Sequence, residues 1–206
     1  NTQLLAEDTP ADDEIVLTSG KGYSNVFHAD GGNAAFSVMA NTLRGVYGTD
    51  VLLATANSFT GSVLQADYNK KMAASMIMPN GLMSRQRTMT GAELKETVRA
   101  FVEGCEGGFV PFNRGSLPVV SGIAVEVKEA SGSYTLTGIT RNGQPLKDDD
   151  TVTVTCLAAE KQMEALLASE SGTPLDGDTW VKNTWRDHVS GGGAALAEPE
   201  NYMTLR

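Results

Sequence analysis

The stretch from Gly115 to Ala158 constrains the fold most. It reads GSLPVVSGIAVEV, KEASGS, YTLTGIT, RNGQPLKDDD and TVTVTCLA in succession. Ile123, Val125 and Val127 alternate with Ala124, Glu126 and Lys128, while Val152, Val154 and Cys156 alternate with threonines. Successive side chains of a strand point to opposite faces, so this two-residue period is that of half-buried strands. Ser131-Gly132 and Asn142-Gly143 lie between the runs. Such dipeptides tolerate the positive φ of tight hairpins, and the pattern predicts three strands in an antiparallel meander. Asp148 to Asp150 supply a solvated turn before the last strand.

At 206 residues the chain is long enough to bury one substantial core, and one domain is expected. Sixteen Lys and Arg against 25 Asp and Glu give a net charge of -9, with no basic run, which argues against a nucleic-acid partner. No apolar window reaches the ~18 residues of a membrane span. Residue 1 starts neither a signal peptide nor a natural methionine, so a piece of a longer protein is expected. Cys105 and Cys156 fit one disulfide or two free thiols equally well.

Taken in order, residues 1–13 are polar and acidic with Pro10, the character of a linker or arm, and a domain over residues 14–206 follows. A strand is predicted over Glu14 to Thr18. The glycines of SGKG lack the GxxxxGK[ST] spacing of a phosphate loop and read as a turn. Asn33 opens a helix with Phe36, Met39, Ala40, Leu43 and Tyr47 on one apolar stripe, closed by Gly48. Val51 to Ala54 is wholly apolar, as a strand covered on both faces requires. The polar loop Asn57 to Gly61 follows it, at the carboxyl end where open α/β sheets place ligands. Asp67 is expected to cap a helix through Met76, and Met78 to Met89 reads as a strand around Pro79-Asn80-Gly81. Thr90-Gly-Ala-Glu93 fits a capping box for a helix that buries Leu94, Val98, Phe101 and Val102. The loop Glu106 to Arg114 carries Phe109 and Phe112 among glycines and a proline. Ala158 to Ser169 reads as a helix, and Asp178 caps a last one bearing Val181, Trp185 and Val189. Helices and strands are mixed throughout, a mixed α/β (α+β) class.

The order of these motifs resembles the C-terminal domain of the 5'-nucleotidase family. Asn33 to Asp50, ending in GTDV, is similar to the family's helix and "gaD" strand start, and Asn57 stands near its "NGGxxR" loop. Pro79 and Gly81 resemble "PFGN", and Thr90-Gly91 with Glu93-Leu94 resembles "ltGxxL". Val120 to Ile123 is similar to "qvSGl", and Asn142 to Leu146 with Asp150 to Val154 to "xGkpldpxktYtV". The resemblance covers roughly residues 14 to 206. It implies a four-layer α/β/β/α sandwich that holds the nucleoside, while a separate N-terminal metallophosphoesterase domain holds two divalent metals and performs the hydrolysis. It also implies an extracellular, periplasmic or cell-wall location.

The catalytic half is not in this chain. A dinuclear hydrolase site needs several imidazoles and carboxylates sharing two cations. His28 and His188 stand in unrelated segments, without Asp-x-His or Asn-His-Asp/Glu, so no cofactor or metal is expected here. The family's substrate arginine falls around Thr60, its first base-stacking phenylalanine near Leu117, and its second within Ala158 to Gln162, so all three are replaced. The remaining ligand-binding candidates are Asn57, Ser58, Phe59 and Thr60 in the loop, Asn80 after Pro79, and Phe109 and Phe112 as replacement stackers. The first functional reading is substrate recognition, with a nucleoside or nucleotide ligand and the N-terminal domain as partner. The alternative is a non-catalytic interaction or spacer module of a secreted or surface-anchored protein.

Overall fold

The computed structural model describes residues 13–77, 82–103, 118–159, 173–174, 179–191 and 194–206. The chain enters through β1 (Ile15–Ser19), passes the short β2 (Phe27–His28) and β3 (Gly32–Asn33), and turns into helix α1 (Ala34–Tyr47). Asn33 caps α1 by accepting the Phe36 N–H, and Gly48 ends it in the left-handed conformation at φ 65°. Phe36, Met39, Ala40 and Leu43 are buried as the stripe predicts; Val38 and Asn41 are buried too, so α1 is enclosed on more than one side.

Strand β4 (Val51–Thr55) follows, its first four residues all buried. After β5 (Ala66–Asn69) comes the short α2 (Lys70–Ala74), which is capped by Asn69, whose side chain accepts the Met72 N–H. The expected cap Asp67 instead lies in β5 and accepts the Thr18 hydroxyl at 2.7 Å. Pairing with β1 holds Ala66–Asn69 extended and delays the helix start. Strand β6 (Leu82–Thr90) leads into α3 (Gly91–Glu103). Here the capping box forms: Glu93 accepts the Thr90 N–H at 2.7 Å, and the Thr90 hydroxyl accepts the Glu93 N–H at 3.2 Å. The Asp148–Asp150 turn, read as merely solvated, adds carbonyls to the same helix end. Gly91 N–H donates to Asp150 O and Ala92 N–H to Asp148 O. Those two amides would otherwise be orphan donors.

The predicted meander forms only in part. Strands β7 (Pro118–Ser121), β8 (Ala124–Ala130), β9 (Ser133–Arg141), β10 (Gln144–Pro145) and β11 (Thr151–Ala159) do follow one another. Strands β8 and β9 are a hairpin through Ser131-Gly132, and β9 turns through Asn142-Gly143 into β10. Both residues of each turn have positive φ. Strand β11, however, leaves for another sheet, where it lies between β6 (antiparallel) and β4 (parallel). Alternation identified it as half-buried, yet Val154, Thr155 and Cys156 are all fully buried. Its threonines are tolerated inside because they are bonded: Thr155 Oγ1 lies 2.8 Å from Thr49 Oγ1, and Thr153 Oγ1 donates to Asp50. Ala158 and Ala159, expected to open a helix, continue this strand against Leu82 and Met83. The remainder of that expected helix, and Asp178, lie outside the described residues.

Strands β12 (Thr173–Pro174) and β13 (Thr179–Trp180) both pair with β6, and helix α4 (Val181–Ser190) follows. Val181, Trp185 and Val189 form its buried face; the Trp185 indole N–H donates to Ala73 O at 2.8 Å. Strand β14 (Met203–Leu205) closes the chain parallel to β8. The described residues thus form a larger sheet in the order β12-β6-β11-β4-β7, with β13 also on β6, and a smaller one in the order β10-β9-β8-β14. Helix α1 packs on β4 and β7, α4 on β6 and α2, and α3 on β9. A single core joins both sheets, with Leu52, Val120 and Val154 from one and Val125, Val127 and Ile139 from the other.

The change of sheet takes place at Ser121-Gly122-Ile123. Gly122 has φ +81°, and a Cβ there would stand 2.1 Å from the Asp50 carbonyl oxygen. Gly143, at φ +73°, has open space around it. Gly122→Ala is therefore expected to lower unfolding stability by more than ~2 kcal/mol, against about 1 kcal/mol for Gly143→Ala. Urea unfolding midpoints measure the difference; equal losses would remove the steric explanation.

Candidate functional site

The loop at the carboxyl end of β4 begins with one 3-10 turn, Ala56–Ser58. Asn57 is exposed, whereas Ser58 is buried, its hydroxyl without a partner among the described residues. The Phe59 ring is turned inward, 5% exposed, with its centroid 5.8 Å from that of Phe36. Thr60 is exposed, but its N–H donates to Met76 O at 3.1 Å and its hydroxyl to Ser75 O. Phe59 also bridges to Ile77. The loop is thus fastened to the segment after α2, and of the four candidates only Asn57 and Thr60 reach the surface.

Asn80, Phe109 and Phe112 lie outside the described residues. Two described neighbours of those segments have known positions: Pro118 pairs with Thr55, and Leu82 with Ala159. Both stand at the end of the larger sheet where the Asn57–Thr60 loop lies. His28 is exposed, and the His188 Nε2 is buried without a partner among the described residues. Among the described residues no cluster of three or more His, Cys, Asp or Glu could hold a metal ion. Cys156 is a free thiol whose pKa burial pushes up to about 12, which leaves it protonated and a poor nucleophile at neutral pH.

At the opposite end of β4, roughly 17 Å away along five residues, the structure forms a cleft of about 410 Å³ that the sequence did not announce. Arg44, Asp50, Arg141, the Asn142-Gly143 turn, Glu200 and Asn201 line it. Asp50 is its anchor. One carboxylate oxygen accepts from Arg141 Nη2 and the other accepts the Thr153 N–H and hydroxyl, both at 2.9 Å. Burial works to raise the Asp50 carboxyl, but the two Thr153 bonds, then Arg141 and Arg44, outweigh it and hold it below the usual range. Arg44 Nε donates to Ser121 Oγ at 2.8 Å, and Ser121 in turn donates to Asn41 Oδ1. The available signal for these residues was thin. Arg44 is a cation in the last turn of a helix, where the macrodipole favours it, and Arg141 simply precedes a turn.

No protein-family model and no curated protein matches the chain. Solved structures do. The 5'-nucleotidase precursor of Thermus thermophilus has a TM-score of 0.69 at 13% identity, over 95% of this chain and 40% of that one. The NAD nucleotidase of Haemophilus influenzae has a TM-score of 0.62 at 15% identity, over 95% and 39%. A sulfate thiohydrolase of Thermus thermophilus reaches 0.66 at 12% identity, over 93% and 35%. The chain therefore has a mixed α+β fold of the kind found in 5'-nucleotidases, and it spans 35–40% of the length of these structural neighbours.

If Phe59 serves the core, Phe59→Ala should cost roughly 3–5 kcal/mol by chemical denaturation; a loss below about 1 kcal/mol would release the ring for ligand contact. Because the folded Asp50 carboxyl is depressed, its contribution is complete above the unfolded value of ~3.9 and disappears as pH falls through the lower folded one. The Tm gap between the wild type and Asp50→Asn is expected to be widest near neutrality and to narrow on acidification below about pH 4. A gap independent of pH would show that the charge of Asp50 contributes nothing.

Proposed function

We propose that this chain is the C-terminal substrate-recognition domain of a 5'-nucleotidase-like metallophosphoesterase, non-catalytic by itself. An N-terminal domain carrying two divalent metals would perform phosphate ester hydrolysis. The observation that carries this reading is the coverage: nearly the whole chain superposes on two-fifths of a 5'-nucleotidase precursor. In this reading α1 and α4 cover the larger sheet and α3 the smaller, in the order α/β/β/α. The ligand would be a nucleoside or nucleotide, held by Asn57 and Thr60 at the loop surface together with Asn80, Phe109 and Phe112. Secretion to the periplasm, cell wall or exterior belongs to the same proposal.

The neighbours themselves widen the substrate question, since their names point to a nucleotidase, an NAD nucleotidase and a sulfate thiohydrolase on one fold. Function resides in sites grafted on a fold, and here no arginine stands in the loop after β4. The inward Phe59 and the tied Thr60 favour a second reading, a non-catalytic interaction or spacer module.

A thermal-shift screen with nucleosides, nucleotides and sugar phosphates separates the two. Stabilisation at millimolar nucleotide is expected under the first reading, with phosphate release by the parent polypeptide but not by this chain alone. Hydrolysis by this chain alone, or a parent without an adjacent metal-binding domain, would overturn it. Absence of any shift supports the second reading.

A further inference from the structure

The cleft at the amino end of β4 is a second site, and it differs in chemistry from the loop at the other end. Its two guanidinium groups are held by their edges and leave donors over. Arg44 is fixed through Nε to Ser121, and its Nη2 lies 3.8 Å from Glu200 Oε1, beyond hydrogen-bond reach. Arg141 uses Nη2 on Asp50, while its Nε and Nη1 have no partner among the described residues. Both side chains are mostly removed from water, at 29% and 28% exposure. Of the two carboxylates facing them, Asp50 already accepts three donors, and Glu200 is half-exposed with only the long contact. Gly122, the Asn142-Gly143 turn and Asn201 also line the cleft.

From this surplus of fixed donors we infer that the cleft binds a small oxyanion, whose oxygens bridge Arg44 and Arg141 and displace Glu200 from Arg44. Three physical points support it. A guanidinium whose Nε is already bonded presents its remaining N–H groups in a set plane, and paired forks match carboxylate or phosphate oxygens. The Ser121–Asn41 relay holds Arg44 before any ligand arrives, which reduces the ordering cost of binding. The volume of about 410 Å³ lies in the range of small-molecule sites. On a chain of net charge -9, the two arginines offset Asp50 and Glu200, so the cleft lining is locally neutral rather than acidic. The inference is independent of the nucleotidase reading, because the cleft lies at the other end of β4 from the Asn57–Thr60 loop.

The test is an NMR titration of the backbone amides of the whole chain at constant ionic strength, with inorganic phosphate in one series, malonate in a second and chloride as the matched control. Saturating shifts are expected at Gly48, Thr49, Asn142, Gly143 and Asn201. Phosphate tighter than malonate identifies a tetrahedral ligand, and the reverse a dicarboxylate. Arg44→Gln is expected to weaken binding about tenfold, and Arg44→Lys nearly as much, since the charge survives but the fork does not. Glu200→Gln, which removes the competing carboxylate, is expected to strengthen binding about threefold. The inference is overturned if neither anion gives saturating shifts in the cleft at tens of millimolar. It is also overturned if Arg44→Gln and Arg44→Lys bind as the wild type does, or if Glu200→Gln weakens binding.

Discussion

Beside the shared apolar core, the Asp50 carboxylate is the polar contact that ties the two sheets together. It sits one residue before β4, an interior strand of the larger sheet, accepts the backbone and hydroxyl of Thr153 in that sheet, and takes Arg141 from the end of β9 in the smaller one. Its N–H donates back to Thr153 Oγ1, and its carbonyl rests against Gly122, the point where β7 ends and the chain crosses to β8. The register of β4 on β11, the departure of β8 and the placement of Arg141 therefore meet at one residue. A carboxylate can do this because its two oxygens accept several donors from different directions.

A second join comes from the last segment of the chain. Ser37 and Asn41 of α1 donate to the Glu200 and Glu198 carbonyls, and the Thr42 hydroxyl accepts the Ala197 N–H. The strap then runs into β14 on the smaller sheet, where the buried Tyr202 hydroxyl accepts the Asn33 N–H at the start of α1. Three buried polar side chains in a helix would be costly inside a core if left unpaired, but here each is hydrogen-bonded to the backbone of the C-terminal segment. Polar burial in α1 is thus the means by which the C-terminal segment is held between helix and sheet.

These joins divide the molecule into two ends with different chemistry. At the carboxyl end of β4 the loop candidates are largely drawn into local packing, and the ligand question turns on Asn57, Thr60 and segments outside the described residues. At the amino end two arginines are fixed at an open cleft. Both ends are set by the same strand, because β4 is buried from Val51 to Ala54 and exposes chemistry only where it stops.

Much of the local structure could be read from residues alone. The Asn33 cap, the α1 stripe, the Gly48 stop, the capping box at Thr90 and Glu93, the two hairpin turns and the inward Trp185 depend on contacts a few residues apart, or on one helix face, and sequence carries those directly. Partner choice over long separations is different. Alternation in Thr151 to Cys156 specifies a strand but not which sheet receives it, and a threonine reads as solvent-facing until the tertiary structure supplies Asp50 or Thr49 to bond it. The cap on α2 moved from Asp67 to Asn69 because β1 claimed the intervening residues. The arginine cleft was illegible for the same reason: Arg44 and Arg141 are 97 positions apart in sequence, and only the fold brings their guanidinium groups to one opening.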